Sequence, residues 1–249
     1  MLLLFVALTT GAPVKAEKVD RKARIEAART VIAAVVEAGR ANAKLDEPKT
    51  GDALTETYVV AAAKLPEDRS AWAFSMGLGV ALDTSTMMRT NVLTRATWKE
   101  IENDAERKKR LEVLGEPTTH GRHDLTQHFW VSAALTALWG RKQAEAAGVL
   151  KEWLDSAEGG SGFSFADLAA DLAGIEMASR VLDRPALLGD VAKGFVVKDR
   201  CPAPKGLEEG IRRKDFEKRF GSTDDERFTK EVEALLKKVK ELPAYREKE

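Results

Sequence analysis

A helical repeat of apolar residues narrows the fold more than any other feature. Ile25, Ala28, Val31, Ile32, Val35 and Val36 recur with a period near 3.6, which places them along one stripe of an α-helix. The same period returns further along the chain, and no alternating run of useful length calls for a strand. Ala and Leu are abundant, against nine Phe, five Trp and two Tyr in 249 residues. That balance favours helices over sheets. The expected fold is all-α, a single multi-helix bundle.

Breakers set the expected elements. Helices are expected at 18–45, 54–65, 70–82, 97–114, 124–139, 142–156 and 164–182. Pro48-Lys49-Thr50-Gly51, Pro66 and Gly115-Glu116-Pro117 supply stops. Asp124 with Gln127, and Ser164 with Asp167, have capping-box spacing. After an extended linker at 201–206, Phe228, Val232, Leu235, Leu236 and Val239 make a stripe within 214–245. This reads as a peripheral amphipathic C-terminal helix packing back on the body.

At the start, an apolar run from Leu2 to Leu8 precedes Val14-Lys15-Ala16. Small residues at those two outer positions resemble a secretory cleavage site before Glu17. The basic region of such a signal is missing, so a start further upstream or a plain hydrophobic N-terminus stays open. The expected organisation is an export signal at 1–16, a helical domain at 17–200, and a linker and helical tail at 201–249. The expected location is periplasmic or secreted.

Charge and cysteine exclude several classes. Lys and Arg total 40, as do Asp and Glu, so there is no general electrostatic case for nucleic acid or an anionic membrane. The apolar run at 130–139 is too short to span a bilayer, which takes about 20 residues. Cys201 stands alone, which excludes an intrachain disulfide and a cysteine zinc cluster. There is no GxGxxG, Walker loop or HExxH, and Gly160-Ser161-Gly162-Phe163-Ser164 is not a nucleophile elbow.

The chemistry gathers in 118–178. All three histidines, His120, His123 and His128, fall within nine residues. Imidazole suits transition metals and proton transfer near neutral pH. His120 and His123 are expected before the helix. His128 shares a helix face with Asp124, four residues earlier. The plain alternative is that Asp124 caps the helix and His128 is a half-buried side chain. In 142–156, an apolar face centred on Leu150 leaves Gly148, Glu152 and Asp155 on the far side. In 164–182, Leu168, Leu172 and Ile175 leave Asp167, Asp171 and Gly174 on another. A helical glycine costs about 1 kcal/mol relative to Ala, which makes sense where another backbone or a ligand comes close. If the two acid-and-glycine faces meet, a cation, His128 or raised carboxylate pKa values must relieve the repulsion. The alternative is two solvated faces.

These residues carry a resemblance. His128-Phe129, then Gly148, Lys151-Glu152 and Asp155, then Gly162-Phe163-Ser164, Asp167-Leu168, Asp171 and Gly174 resemble the VanZ-like and YfiM-like envelope protein pattern. It covers about 124–174. The resemblance implies a cell-envelope setting and a site made of His128, Glu152, Asp155, Asp167 and Asp171. VanZ-like proteins are membrane-embedded, and this chain departs from them in showing no spanning segment, so membrane embedding does not carry over.

Two functions follow. The first is an exported α-helical cell-envelope protein with a polar His/carboxylate site between three central helices. The second is a metal-dependent hydrolase, with a divalent ion on His128, Glu152 and Asp171. His120, His123 and Asp124 are secondary candidates.

Overall fold

The computed structural model describes residues 21–64 and 71–246. The expected export signal lies outside the described residues. The described residues form twelve α-helices: α1 (Arg21–Asn42), α2 (Gly51–Ala63), α3 (Ala71–Leu82), α4 (Met87–Thr90), α5 (Arg95–Ile101), α6 (Asp104–Leu114), α7 (His123–Trp139), α8 (Arg141–Asp155), α9 (Phe165–Asp183), α10 (Leu187–Lys193), α11 (Arg213–Phe220) and α12 (Glu226–Lys240). Only isolated bridges occur among them, and no sheet. The protein is an all-α bundle. No helix among the described residues is long and apolar enough to cross a membrane.

α9 is the central element and is buried on nearly every side, as a helix apolar all round must be. α7 lies along it, α3 packs on the other side of α7, and α1 covers α3. α8 closes over α7 and α9, and α12 docks on α9. Gly174 sets the closest approach. A Cβ there would collide with the Phe129 backbone carbonyl, so only glycine lets α7 and α9 come this near.

Two expected helices are each divided. The expected helix at 97–114 is α5 and α6, broken where Asn103 caps α6 in a full capping box with Glu106. The break lets fully buried Glu102 accept from Arg110 Nε at 2.6 Å and pair with Arg89 at 3.3 Å. The C-terminal segment at 214–245 is α11 and α12. Phe163 and Phe165 at the start of α9 stack with Phe216, Phe220 and Phe228 of the tail, with centroids 4.9–6.4 Å apart, and so hold it on the body.

The start of α7 also differs from the expected cap. The helix begins at His123 after Arg122, with no side-chain cap. The carboxylate of Asp124 is held by Arg122 at 2.6 Å instead, an ionic contact that wins over the weaker backbone cap. At α9, Ser164 does accept from Asp167 N at 3.1 Å.

Candidate functional site

The site is built where α7, α8 and α9 meet. His128 lies on the second turn of α7, Glu152 near the end of α8, and Asp167 and Asp171 one turn apart at the start of α9. α8 turns its small and acidic face inward, burying Ala144, Gly148 and Glu152. The Leu150 face, apolar by sequence, is therefore not the core-facing one. Leu150 is half-buried and Leu154 is 52% exposed. Inward packing of Gly148 brings the α8 backbone against Asp171, where a Cβ would lie 2.8 Å from Oδ2.

His128 organises the group. Its Nδ1 is 3.1 Å from Asp171 Oδ1, which also accepts from Ser132 Oγ at 2.7 Å. An ionised carboxylate only accepts, so Nδ1 carries the proton in this contact. Nε2 faces the other way, 3.4 Å from Asp167 Oδ2 and 4.0 Å from Glu152 Oε1. His128, Glu152 and Asp167 each offer one ligand atom, all within 4.8 Å of one another. This group can bind a metal ion. Asp171, expected as a ligand, instead sits at Nδ1. It lies one turn further along α9 than Asp167 and meets the opposite edge of the ring.

The charges are closely balanced by neighbours. Lys151 Nζ donates to Glu152 Oε1 at 2.8 Å and to Asp155 Oδ2 at 2.9 Å. Asp155 thus joins the site through Lys151, not through His128. Glu152 Oε2 accepts from the Ser164 backbone N–H at 3.0 Å. Arg122 reaches Asp167 at 3.3 Å and Glu209 at 2.8 Å. Burial pushes the Glu152 carboxyl up to about 7, against the pull of Lys151. Burial also raises Asp167. Burial opposes charge on His128, but the Asp171 carboxylate outweighs it and holds the imidazole above its usual value. Burial likewise opposes charge on Lys151, and Glu152 and Asp155 raise it further than burial lowers it.

One acceptor is orphaned. Asp171 Oδ2 is buried with no hydrogen-bond partner among the described residues. An unpaired buried carboxylate oxygen costs free energy. It borders a cleft of about 290 Å³ between α7, α8 and the 85–94 segment, which His128, Ser132, Gly148, Lys151 and Asp155 also line.

Of the secondary candidates, Asp124 stands at the edge of the site, held by the Arg122 guanidinium that also reaches Asp167, and the two other histidines lie elsewhere. His120, at φ 53°, has Nε2 2.8 Å from the Cys201 carbonyl oxygen. His123 bonds the Pro117 carbonyl through Nδ1 at 3.1 Å and Thr84 Oγ1 through Nε2 at 2.8 Å. Both histidines tie loops together. Sequence reasoning missed Ser132, Lys151, Arg122 and Glu209 as members. Ser132 had a signal, since it stands four residues after His128 on the same face. Glu209 had none, being brought in by the tail.

Comparison with protein-family models, with curated proteins and with solved structures finds no match to this chain.

Proposed function

We propose that this is an exported helical protein of the cell envelope that holds one divalent metal ion on His128, Glu152 and Asp167 and uses it in hydrolysis. The observation that carries the metal is the two-sided use of His128. Its Nδ1 is fixed by a carboxylate that Ser132 orients, the usual outer support of a metal-bound imidazole. Its Nε2 stands 3.4 Å from one carboxylate oxygen and 4.0 Å from another. Ligand bonds of about 2.0–2.2 Å in a tetrahedron separate neighbouring ligand atoms by roughly 3.3–3.6 Å, so the three groups, whose ligand atoms lie within 4.8 Å of one another, close in on the ion and Glu152 Oε1 turns from Lys151 towards it. Three protein ligands leave a further position for water, whose pKa a bound ion brings to about 7. The envelope assignment rests on the apolar run before Val14-Lys15-Ala16 and on the VanZ-like and YfiM-like pattern. A new N-terminus at Glu17 in protein from the native host supports it, and an intact Met1 overturns it.

A second reading has its own observation. Lys151 Nζ already sits 2.8 Å from Glu152 Oε1, so a cation is present where an ion would act. In that reading the group is a structural ion network. Calorimetric titration with zinc and with manganese separates the two. The metal reading requires uptake of one ion per chain, lost in His128→Ala and Asp167→Asn, with a rise in melting temperature that chelator reverses. No uptake, with coupled but chelator-insensitive effects of Glu152→Ala and Asp171→Ala, establishes the ion network.

A further inference from the structure

The cleft between α7, α8 and the 85–94 segment is a place of its own. His128 and Asp171 are among its walls, but Glu152 and Asp167 are not, so it stands beside the metal group and runs past the Asp171 edge of the imidazole. Leu135 and Trp139 continue its wall along α7. At 1.5 Å per residue, Trp139 lies about 16 Å beyond His128 along the helix. The facing wall is Leu150 and Leu154 of α8, the residues left outside the core when α8 turned its glycine and acid inward.

Exposure singles out this cleft. Met87 (47%), Leu93 (46%) and Leu154 (52%) are large hydrophobic residues that stay exposed, and all three line it. Scattered exposed apolar residues need no explanation, whereas a contiguous apolar surface marks a binding site. A volume of about 290 Å³ is at the small end for a ligand pocket. Spread along the wall from His128 to Trp139, it makes a narrow apolar trough, the shape of an alkyl chain.

The polar end selects the head group. Asp171 is 3% exposed and lines the cleft. Its Oδ1 is taken by His128 and Ser132, and its Oδ2 has no partner among the described residues. His128 meets Oδ1 through Nδ1, so what stands at Nε2 does not change what Oδ2 lacks. Gly148 keeps the wall beside Oδ2 free of a side chain, where a Cβ would come within 2.8 Å. A buried carboxylate oxygen without a donor costs free energy, and a ligand that brings a donor recovers it. At the same end, Lys151 has three N–H donors, of which Glu152 and Asp155 take two. The cleft thus offers one unused acceptor and one unused donor. A carboxylate or an ester only accepts, and an ammonium only donates. A hydroxyl does both through one atom, and Ser132 Oγ already donates to this same carboxylate at 2.7 Å.

We propose that the cleft binds a long-chain primary alcohol, with its hydroxyl at Asp171 Oδ2 and Lys151 and its alkyl chain along Leu135, Trp139, Leu150 and Leu154. This is a binding site, in which no bond of the alcohol is made or broken. It does not rest on the metal reading, since His128 is the one proposed ligand that borders it.

The test is calorimetric titration of protein kept in chelator, with decanol, butanol, methyl decanoate and decylammonium as the probes. Decanol should bind about tenfold or more tightly than butanol, because each buried CH₂ adds to affinity. It should exceed methyl decanoate by a similar factor, since the ester has as long a chain but leaves Oδ2 unpaired, and it should exceed decylammonium as well. The double variant Leu93→Glu/Leu154→Glu replaces two exposed side chains of the cleft and should bind decanol about tenfold or more weakly. Leu45→Glu, at a residue 49% exposed and outside the cleft, should bind it as the parent does. Circular dichroism checks that both variants keep their helices, and if the double variant does not, the four probes on the parent protein still decide. Ester binding as tightly as alcohol, or ammonium binding more tightly, overturns the hydroxyl assignment. Butanol binding as tightly as decanol, or a folded double variant that binds normally, overturns the cleft assignment. Zinc uptake is read in separate titrations without chelator, so failure of either proposal leaves the other standing.

Discussion

Asp171 holds His128 by the ring nitrogen that points away from the other two carboxylates. The contact of 3.1 Å at Nδ1 fixes which nitrogen is free, and Nε2 is left facing Asp167 and Glu152. Asp171→Asn keeps the shape and removes the obligate acceptor. Metal affinity should fall by about 10–100-fold, the usual effect of losing such an outer partner. Calorimetric titration with zinc reads it. Unchanged affinity would mean that Asp171 only fills space.

Gly174 governs the distance between the two helices that carry His128 and Asp171. A side chain there meets the Phe129 carbonyl, and overpacking of this kind costs about 1–3 kcal/mol. Gly174→Ala should lower stability by that amount in urea denaturation and should weaken zinc binding as well, because α7 is pushed off α9. Gly189, whose added Cβ meets nothing within 4 Å, serves as the control: Gly189→Ala should leave zinc binding unaltered.

The buried ion network at Glu102 is a separate stability centre. Arg110 and Glu102 are each 1% exposed and bonded through two contacts of 2.6 and 3.0 Å. Arg110→Met strands the carboxylate with only the longer contact to Arg89 beside it. Removing one partner of a buried pair costs about 3–5 kcal/mol, measurable as a lower denaturation midpoint. Zinc binding by the variant at low temperature should be normal, since the network is apart from the site.

Glu176 gives the acid dependence a definite sign. Burial would raise its carboxyl, but hydrogen bonds from Arg180 and Arg141, each 2.6 Å, outweigh it and hold the group below its ordinary 4.5. A folded-state pKa below the unfolded one stabilises the protein above about pH 4.5 and loses that contribution as pH falls through the folded value. Melting temperature should therefore drop less steeply below pH 4.5 in Glu176→Gln than in the parent. Parallel curves would remove Glu176 from the acid response.

Helix type was legible because periodicity is local. Ile25 to Val36 needs no partner to reveal its stripe, and α1 follows it. The meeting of acid and glycine faces was also visible, since a bare helical glycine beside a carboxylate is costly unless something approaches. Which face of α8 points inward was not. Leu150 and Leu154 outweigh Gly148 and Glu152 in hydrophobicity, and only the fit of Gly148 against Asp171 turns the helix the other way. The choice between Asp167 and Asp171 at Nε2 depends on the rotation of α9 against α7, which no spacing encodes. The break at Glu102 was hidden for a related reason. A buried carboxylate needs Arg89 and Arg110 from two other segments before leaving the helix is favourable.

The clasp between the Phe163 region and the tail has a consequence for how the molecule is made. Glu209 bonds both Arg122 and Ser164, and the aromatic partners Phe216, Phe220 and Phe228 all follow α9 in the chain and are synthesised after it. A growing chain that has emerged only as far as α9 holds the histidine and its acids but lacks the residues that pin the start of that helix. The centre therefore matures only after the segment that follows α9 has arrived, and a chain cut between α9 and Glu209 would carry every ligand and still lack the residues that hold them in register.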